Sequence, residues 1–476
     1  MVFSILGRTL LIEAILLFCP LLVGVIYGEN SYFDYLIPIG VLVVVGLPLS
    51  LMRLKDRAIY AKEGFVTVAF VWILMSLAGA LPFVLSGAIP NYADALFETV
   101  SGFTTTGASV VENVEGLSHS LLFWRSFTHW IGGMGVLVFV LAILPGFNAG
   151  FMHVFRAESP GPSVGKLVSK LTFTARILYG IYILMTVIET IFLLCGGMSI
   201  FDSVLHAFST AGTGGFGIKN NSVAFYNSVY LEMVIAVFMF LFSLNFNLFY
   251  LLLIGNFKKA FKSEELRVYF IMVVGATLVI ALNIMSACAN FGEAVRYSFF
   301  QVSSISSTTG FSSMDFNEWP ALSKAILILL MVVGACGGST GGGMKVSRII
   351  ILFKSAVADV RKLLHPRAVI TPKFEGEPIE KDTERNVHTF FILWVMILVL
   401  CTILLCIDVN DFMTNFTATL ACIGNIGPGF NLVGPMCNYA LYSSYSKVLL
   451  SFVMLVGRLE IFPMLIVFVP RTWKRG

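Results

Sequence analysis

Charge is what this sequence has least of. Asp, Glu, Lys and Arg supply 12% of its 476 residues, where a soluble globular domain has about a quarter. That shortage excludes a chain that meets water over most of its surface. The eight cysteines form no Cys-x-x-Cys pair, so neither a disulfide framework nor a zinc site is suggested. The six histidines make no His-x-x-x-His pair, and a metal-dependent membrane hydrolase is left without a ligand set.

Apolar residues fill the space that charge leaves. They make up 57% of the chain, with a mean hydropathy of +0.89, which identifies an integral membrane protein. The runs 10–27, 35–52, 65–85, 121–144, 177–195, 230–254, 269–289, 325–335, 390–407 and 448–469 give about ten spanning segments, most near the ~20 residues that cross a bilayer as a helix. The first 19 residues are expected to be a retained helix, because no small-residue cleavage site follows and a second span comes soon after.

The few charges are sorted by sign. Basic residues gather in alternate connectors, at 53–62, 156–176, 258–267, 354–385 and 471–475, which places those connectors and both termini in the cytoplasm. The other connectors hold acids, among them Glu29, Asp94, Glu98, Glu112, Asp202, Asp315, Asp408 and Asp411. A negative outer face would concentrate cations at any mouth that opens there.

Four of these outer connectors repeat one pattern. "ALFETVSGFTTTGASV", "SVLHAFSTAGTGGFGI", "YSFFQVSSISSTTGFSS" and "NFTATLACIGNIGPGF" each close a short apolar segment with a polar loop, at Thr105-Thr106-Gly107, Thr213-Gly214-Gly215, Thr308-Thr309-Gly310 and Asn425-Ile426-Gly427. The segments, such as 92–103 and 202–211, are too short to cross a bilayer and read as re-entrant half-helices. Irregular backbone at membrane depth is tolerated only where it is buried in protein or lines a watery cavity. One Thr/Gly loop is ordinary turn chemistry; four in register point to loops meeting on one axis.

Such loops suit a cation. Extended backbone offers carbonyls in place of an ion's water shell, and glycine permits the φ > 0 angles that turn them to one side. The fold class expected is an all-α polytopic membrane protein, with four pseudo-symmetric units of span, re-entrant pore helix, filter loop and span around one pore, preceded by two extra N-terminal spans. Its divisions fall at 1–62, 63–155, 156–262, 263–385 and 386–476.

A second glycine cluster lies within the third unit, in "GACGGSTGGGMK". Lys345 follows Met344 and no Ser or Thr comes next, so this is not a phosphate-binding loop. Each glycine costs a helix roughly 1 kcal/mol relative to alanine, and Gly334, Gly337, Gly338, Gly341, Gly342 and Gly343 should break the span into a loop between two shorter helices. Arg458 sits near the middle of the 448–469 run. A charge at that depth faces a cavity or a partner, and it is expected to line the pore below the filter against the glycine-rich loop, with Lys345 and Arg348 as companions.

These motifs, with "FWRSFTHWIGGMG", "GGSTGGGMKVSR" and "GRLEIFP", resemble the potassium transporters of bacterial Trk and Ktr type, the superfamily that also holds fungal Trk and plant HKT proteins. The resemblance runs from about residue 65, and the two earlier spans are similar to those of the TrkH/TrkG branch. It implies filter glycines at Gly107, Gly215, Gly310 and Gly427, with carbonyl donors there and at the two residues before each. It implies that Gly337, Gly338, Ser339, Thr340, Gly341, Gly342 and Gly343 form an intramembrane gate, with Lys345 and Arg458 beside it. Potassium is then the transported ion, with rubidium and some sodium accepted, and no tightly bound cofactor. The resemblance further implies a homodimer in a bacterial inner membrane, docked on a cytosolic nucleotide-binding regulatory subunit, with no nucleic-acid partner. Gly214 and Asn425-Ile426 depart from the threonine pairs of the other loops, so weaker ion discrimination is expected than in a fourfold-symmetric channel. Two other readings stay open: an alternating-access proton or sodium symporter, and a polytopic membrane enzyme, for which no acid or histidine cluster is evident.

Overall fold

A computed structural model describes residues 2–52, 61–135, 171–368, 370–409 and 411–473. Several sequence expectations lie outside these residues: the end of the 121–144 run, the 155/156 unit boundary, and the basic residues Arg53, Lys55, Arg57, Arg156, Lys166, Lys170, Lys474 and Arg475. The described residues are mainly helical. Among the described residues, the strands are the two arms of one short hairpin, Lys373–Phe374 and Glu377–Pro378.

Among the described residues, six helices are long and apolar enough to span a membrane: Val2–Ile26, Tyr32–Leu51, Lys62–Leu85, Ala175–Cys195, Glu264–Ala287 and Lys381–Leu405. Many of their large apolar residues point outward, including Val44, Ile271, Leu282 and Ile403, as expected where lipid replaces water as solvent. The first two pack closely: a Cβ on Gly7 would come within 2.6 Å of the Gly46 carbonyl oxygen. Small residues let helix backbones approach this way.

The four half-length helices are Tyr92–Phe103, Ile200–Ala211, Phe291–Ser306 and Phe412–Ile423. Each starts at a polar cap: the side chains of Asn91, Ser199, Asn290 and Asp411 accept the N–H of Ala93, Asp202, Glu293 and Thr414. A cap of this kind stabilises a helix by about 1 kcal/mol. The Thr414 hydroxyl and the Asn431 amide hold the Asp411 carboxyl below the usual carboxylate range, which keeps that cap ionised. Twelve residues, the length of three of these helices, rise ~18 Å, little more than half the hydrocarbon core.

The helices closing the second and fourth units depart from the expected unbroken spans, while the third breaks at the glycine cluster as its composition foretold. In the first unit, His119–Gly133 is described only to its end. In the second, the apolar run 230–254 is two helices, Val229–Phe242 and Phe246–Leu253, bent by 93°. Asn245 makes that break, its side chain accepting the N–H of Asn247. In the third, Ala321–Val333 stops at Gly334, whose φ of 71° and ψ of −154° only glycine readily adopts. In the fourth, the run 448–469 divides into Ser444–Arg458 and Phe462–Phe468, because Glu460 and Ile461 take φ of 57° and 66° ahead of Pro463. Hydropathy continued through the breaks of the second and fourth units and hid them.

Candidate ion-conducting site

All four half-length helices end in the same backbone motif. In the first unit the N–H of Thr106 bonds the Ser101 carbonyl at 2.8 Å and the N–H of Thr105 bonds that of Gly102 at 3.0 Å. Gly214 and Thr213, Thr309 and Thr308, and Ile426 and Asn425 repeat this pair of bonds. That is a Schellman cap, whose left-handed residue is usually glycine. Here it is Thr105, Thr213, Thr308 and Asn425, with φ of 54°, 53°, 63° and 53°. A β-branched residue in that region is a genuine outlier, and three of the four copies carry one.

Two residues later each chain turns left-handed again, at Gly107, Gly215, Gly310 and Gly427, with φ between 76° and 96°. No side chain fits at these glycines. A Cβ on Gly107 would strike the carbonyl oxygen of Gly214, one on Gly215 that of Thr309, one on Gly310 that of Ile426, and one on Gly427 that of Thr106. Each glycine therefore abuts the carbonyl of the residue preceding the next loop's glycine, and the fourth returns to the first. The predicted filter residues form one closed ring.

The flanking residues of that ring are buried, and their side chains brace it. Thr104 and Thr106 share a hydroxyl bond at 2.8 Å, and Ser307 and Thr309 one at 2.7 Å. Asn425 donates to the Thr106 hydroxyl and to the Met454 carbonyl, both at 3.0 Å, stitching the fourth loop to the first. Gly214 lacks a threonine's side chain because the buried His129 ring occupies that volume and stacks on Phe216, with centroids 4.2 Å apart. The departures in loops two and four are thus packing solutions. His129 sits in the quoted "FTHWIGG" stretch, yet its fit against Gly214 could not be read there.

A cavity of about 170 Å³ opens on the ring and is lined by all four glycines, with Glu112, Arg125 and others around them. The expected acidic mouth is narrower than the sequence suggested. Among the described acids of the outer connectors, Glu112 lines this cavity, while others are committed elsewhere: Asp94 to Lys447 at 3.0 Å, Glu98 to Arg125 at 2.8 Å, Glu29 to the backbone at His119, and Asp411 to its helix.

Arg125, unassigned by sequence, joins two loops. It donates to Glu98, to the Gly217 carbonyl and to the Ser109 hydroxyl, and its guanidinium lies 4.1 Å from the centre of the Phe216 ring. Removing one partner of a buried ion pair costs about 3–5 kcal/mol. Arg125→Met is accordingly expected to lower the unfolding midpoint in detergent sharply, with Arg125→Lys falling between. An unchanged midpoint would show that the pair holds nothing.

The glycine-rich loop runs directly beneath the ring. The N–H of Gly342 bonds the Thr308 hydroxyl at 2.6 Å, and a Cβ on Gly342 would collide with the Gly424 carbonyl. The bend of the second unit holds the loop's other flank: Cys336 N–H bonds the Ser243 carbonyl, Phe246 N–H the Gly338 carbonyl, and the Thr340 hydroxyl the Phe242 carbonyl. Gly337, Ser339, Gly341 and Gly343 complete the loop, and the buried Lys345 donates to the Gly341 carbonyl.

Arg458 ends its helix against this loop. Its guanidinium donates to the Thr340 carbonyl at 2.8 Å and to the Gly132 and Gly133 carbonyls at 2.5 and 2.7 Å. A cation is stabilised where helix C-termini leave carbonyls without partners. Here it meets the ends of its own helix and of the first unit's. Arg348, the expected companion, pairs with Glu460 and lies 4.1 Å from the centre of the Phe390 ring.

Known proteins match this chain along its length. A family model described as TrkH, cation transport protein, matches residues 39–475, beginning inside the second N-terminal helix and thus earlier than the motifs alone suggested. The Trk system potassium uptake protein TrkH of Halomonas elongata is 32% identical over 483 residues, covering 100% of this chain and 99% of that protein. TrkG of Escherichia coli K12 is 31% identical over 460 residues, covering 96% and 94%. The crystal structure of the potassium transporter TrkH from Vibrio parahaemolyticus superposes with a TM-score of 0.87 at 30% identity, covering 99% of both chains. With its helical fold and ring of loops, the chain belongs to the TrkH family of cation transport proteins.

Proposed function

We propose that this protein takes up potassium through a channel-like pore, with the four-loop ring as selectivity filter and the glycine-rich loop as gate. The observation that carries the reading is the cyclic contact of each glycine with the next loop's carbonyl, which gathers backbone oxygens of all four loops into one ring. A dehydrating cation is served by such oxygens, and relatives named potassium uptake proteins supply the ion. Thr105, Thr106, Gly107, Thr213, Gly214, Gly215, Thr308, Thr309, Gly310, Asn425, Ile426 and Gly427 form the filter; the loop 337–343, Lys345 and Arg458 form the gate.

The basic connectors and both termini face the cytoplasm of a bacterial inner membrane, and the units divide at 63, 156, 263 and 386. Membrane potential drives entry, at about 2.3 kcal/mol per charge per 100 mV. The protein works as a homodimer under a cytosolic nucleotide-binding subunit, in keeping with relatives named as parts of a Trk system.

Rubidium uptake into liposomes holding the purified chain, with and without an imposed pH gradient, tests this. Uptake driven by potential alone is expected. Uptake that needs the pH gradient would replace the channel by a symporter, and none under any condition, in the wild type or in a chain lacking residues 338–342, would end the proposal.

A further inference from the structure

The glycine-rich loop is held at both ends by one carboxylate. Glu265 Oε1 accepts the N–H of Gly337 at 2.7 Å and that of Ser347 at 3.0 Å, spanning the loop from its entry to the helix Val346–Leu364 that follows it. Glu265 lies in the first turn of the helix Glu264–Ile284 and is buried. A carboxylate accepting backbone N–H groups makes charge-assisted bonds, stronger than neutral ones.

That first turn is fastened in its own right. The carboxylate of Glu375, at the tip of the hairpin, accepts the Ser263 hydroxyl at 2.8 Å and the N–H groups of Glu264 and Glu265 at 3.0 and 3.1 Å. It answers donors that a helix start leaves open and brings negative charge to the positive end of the helix dipole. Glu375 and Gly376 form a two-residue hairpin turn with φ of 53° and 86°, a geometry that favours Asn-Gly or Gly-Gly. A glutamate in that strained place is explained by what its carboxylate holds. Lys354, on the helix leaving the loop, closes the circuit: it pairs with Glu264 and donates to the Lys373 carbonyl at 2.6 Å.

We propose that Glu265 is a positioning residue that latches the glycine-rich loop shut, and that the exposed Glu375 hairpin sets this latch from the cytoplasmic side. The proposal rests on the reading of the loop as a gate. Displacing the hairpin withdraws three bonds from one helix start; the first turn loosens, and Gly337 and Ser347 lose their shared acceptor together. The latch's own bonds include no filter residue, and the loop's bond to the ring, from Gly342 N–H, goes to the Thr308 hydroxyl and not to a ring carbonyl, so release changes the rate of passage and leaves ion preference alone.

The test is rubidium and sodium flux through the purified full-length chain in vesicles of phosphatidylethanolamine and phosphatidylglycerol, without any partner protein. Glu265→Ala is expected to raise rubidium leak by about tenfold or more, as loss of two charge-assisted bonds implies. Glu265→Gln, which keeps an acceptor oxygen and loses only the charge assistance, should leak less than Glu265→Ala, a partial rescue that a purely charge-balancing role would not give. Glu375→Ala should raise leak in the same direction and by less, with the rubidium-to-sodium ratio unchanged in every variant. A chain lacking residues 338–342 reports on the gate itself. If it leaks while Glu265→Ala and Glu375→Ala stay tight, the latch is overturned and the gate stands; if it does not leak, the gate reading falls. A leaking Glu265→Ala beside a tight Glu375→Ala overturns the hairpin's part. Should Glu265→Ala fail to give monodisperse protein, Glu375→Ala decides.

Discussion

Gly107→Ser is expected to shift uptake from potassium toward sodium, changing the ratio of the two by about tenfold, or roughly 1.4 kcal/mol of discrimination. Two constraints act at this position. Its φ of 78° is one that L side chains rarely adopt, and a Cβ there strikes the Gly214 carbonyl oxygen. The clash is relieved only if loop two moves and the φ strain only if loop one rearranges, and each of these loops carries a carbonyl of the ring. A ring with one oxygen displaced and a hydroxyl added no longer replaces the potassium water shell evenly. A smaller cation that keeps more of its water loses less by the change, since selectivity follows the number and placement of coordinating oxygens. Gly180→Ser is the control, because nothing lies within 4 Å of the Cβ it would add. Competing rubidium and sodium uptake in liposomes measures the ratio; equal ratios in Gly107→Ser and wild type would remove loop one from the filter.

The four loops were legible because each repeats a local pattern: a capping residue, a half-length apolar helix, then a Thr or Asn two places before glycine. All of that lies within some twenty residues of chain, and local periodicity reads such distances well. The break at Gly334 was legible for the same reason, since glycine density is a local property. The breaks at Asn245 and at Glu460 and Ile461 were not. Their runs stay apolar around one or two local breakers, and the groups that satisfy the broken ends lie far along the chain: Cys336 for the Ser243 carbonyl, Gly338 for the N–H of Phe246, Gly132 and Gly133 for Arg458. His129 and Arg125 were missed likewise. Each looks like one polar residue in an apolar helix until Gly214 or Glu98 is brought against it. Arg458 was the exception, because a charge so deep in an apolar run announces that some partner exists.

Arg458→Ala is expected to raise ion leak through the isolated chain by tenfold or more, and two effects of the side chain act in that direction. The first is mechanical. Its bonds tie the Thr340 carbonyl of the glycine-rich loop to the Gly132 and Gly133 carbonyls of the first unit, and alanine frees the loop from that anchor. The second is electrostatic. A fixed positive charge about 4 Å from a passing cation opposes it by roughly 4 kcal/mol at an effective dielectric of 20, about a thousandfold in rate. An opposing effect is stability: the part-buried Thr340 and Gly133 carbonyls lose the arginine's donors, while Gly132 keeps the N–H of Gly135, at about 1–3 kcal/mol for each group left unsatisfied. Flux must therefore be counted per monodisperse protein. Arg458→Lys separates the two favourable effects, because it keeps the charge and loses the planar fork that reaches three carbonyls at once. A leaky lysine variant would assign gating mainly to the anchor, and a tight one mainly to the charge. Rubidium-to-sodium preference should survive in both, since no filter glycine depends on Arg458. If Arg458→Ala conducts no faster than wild type, neither the anchor nor the charge holds the gate closed, and the glycine-rich loop must be sealed by something else.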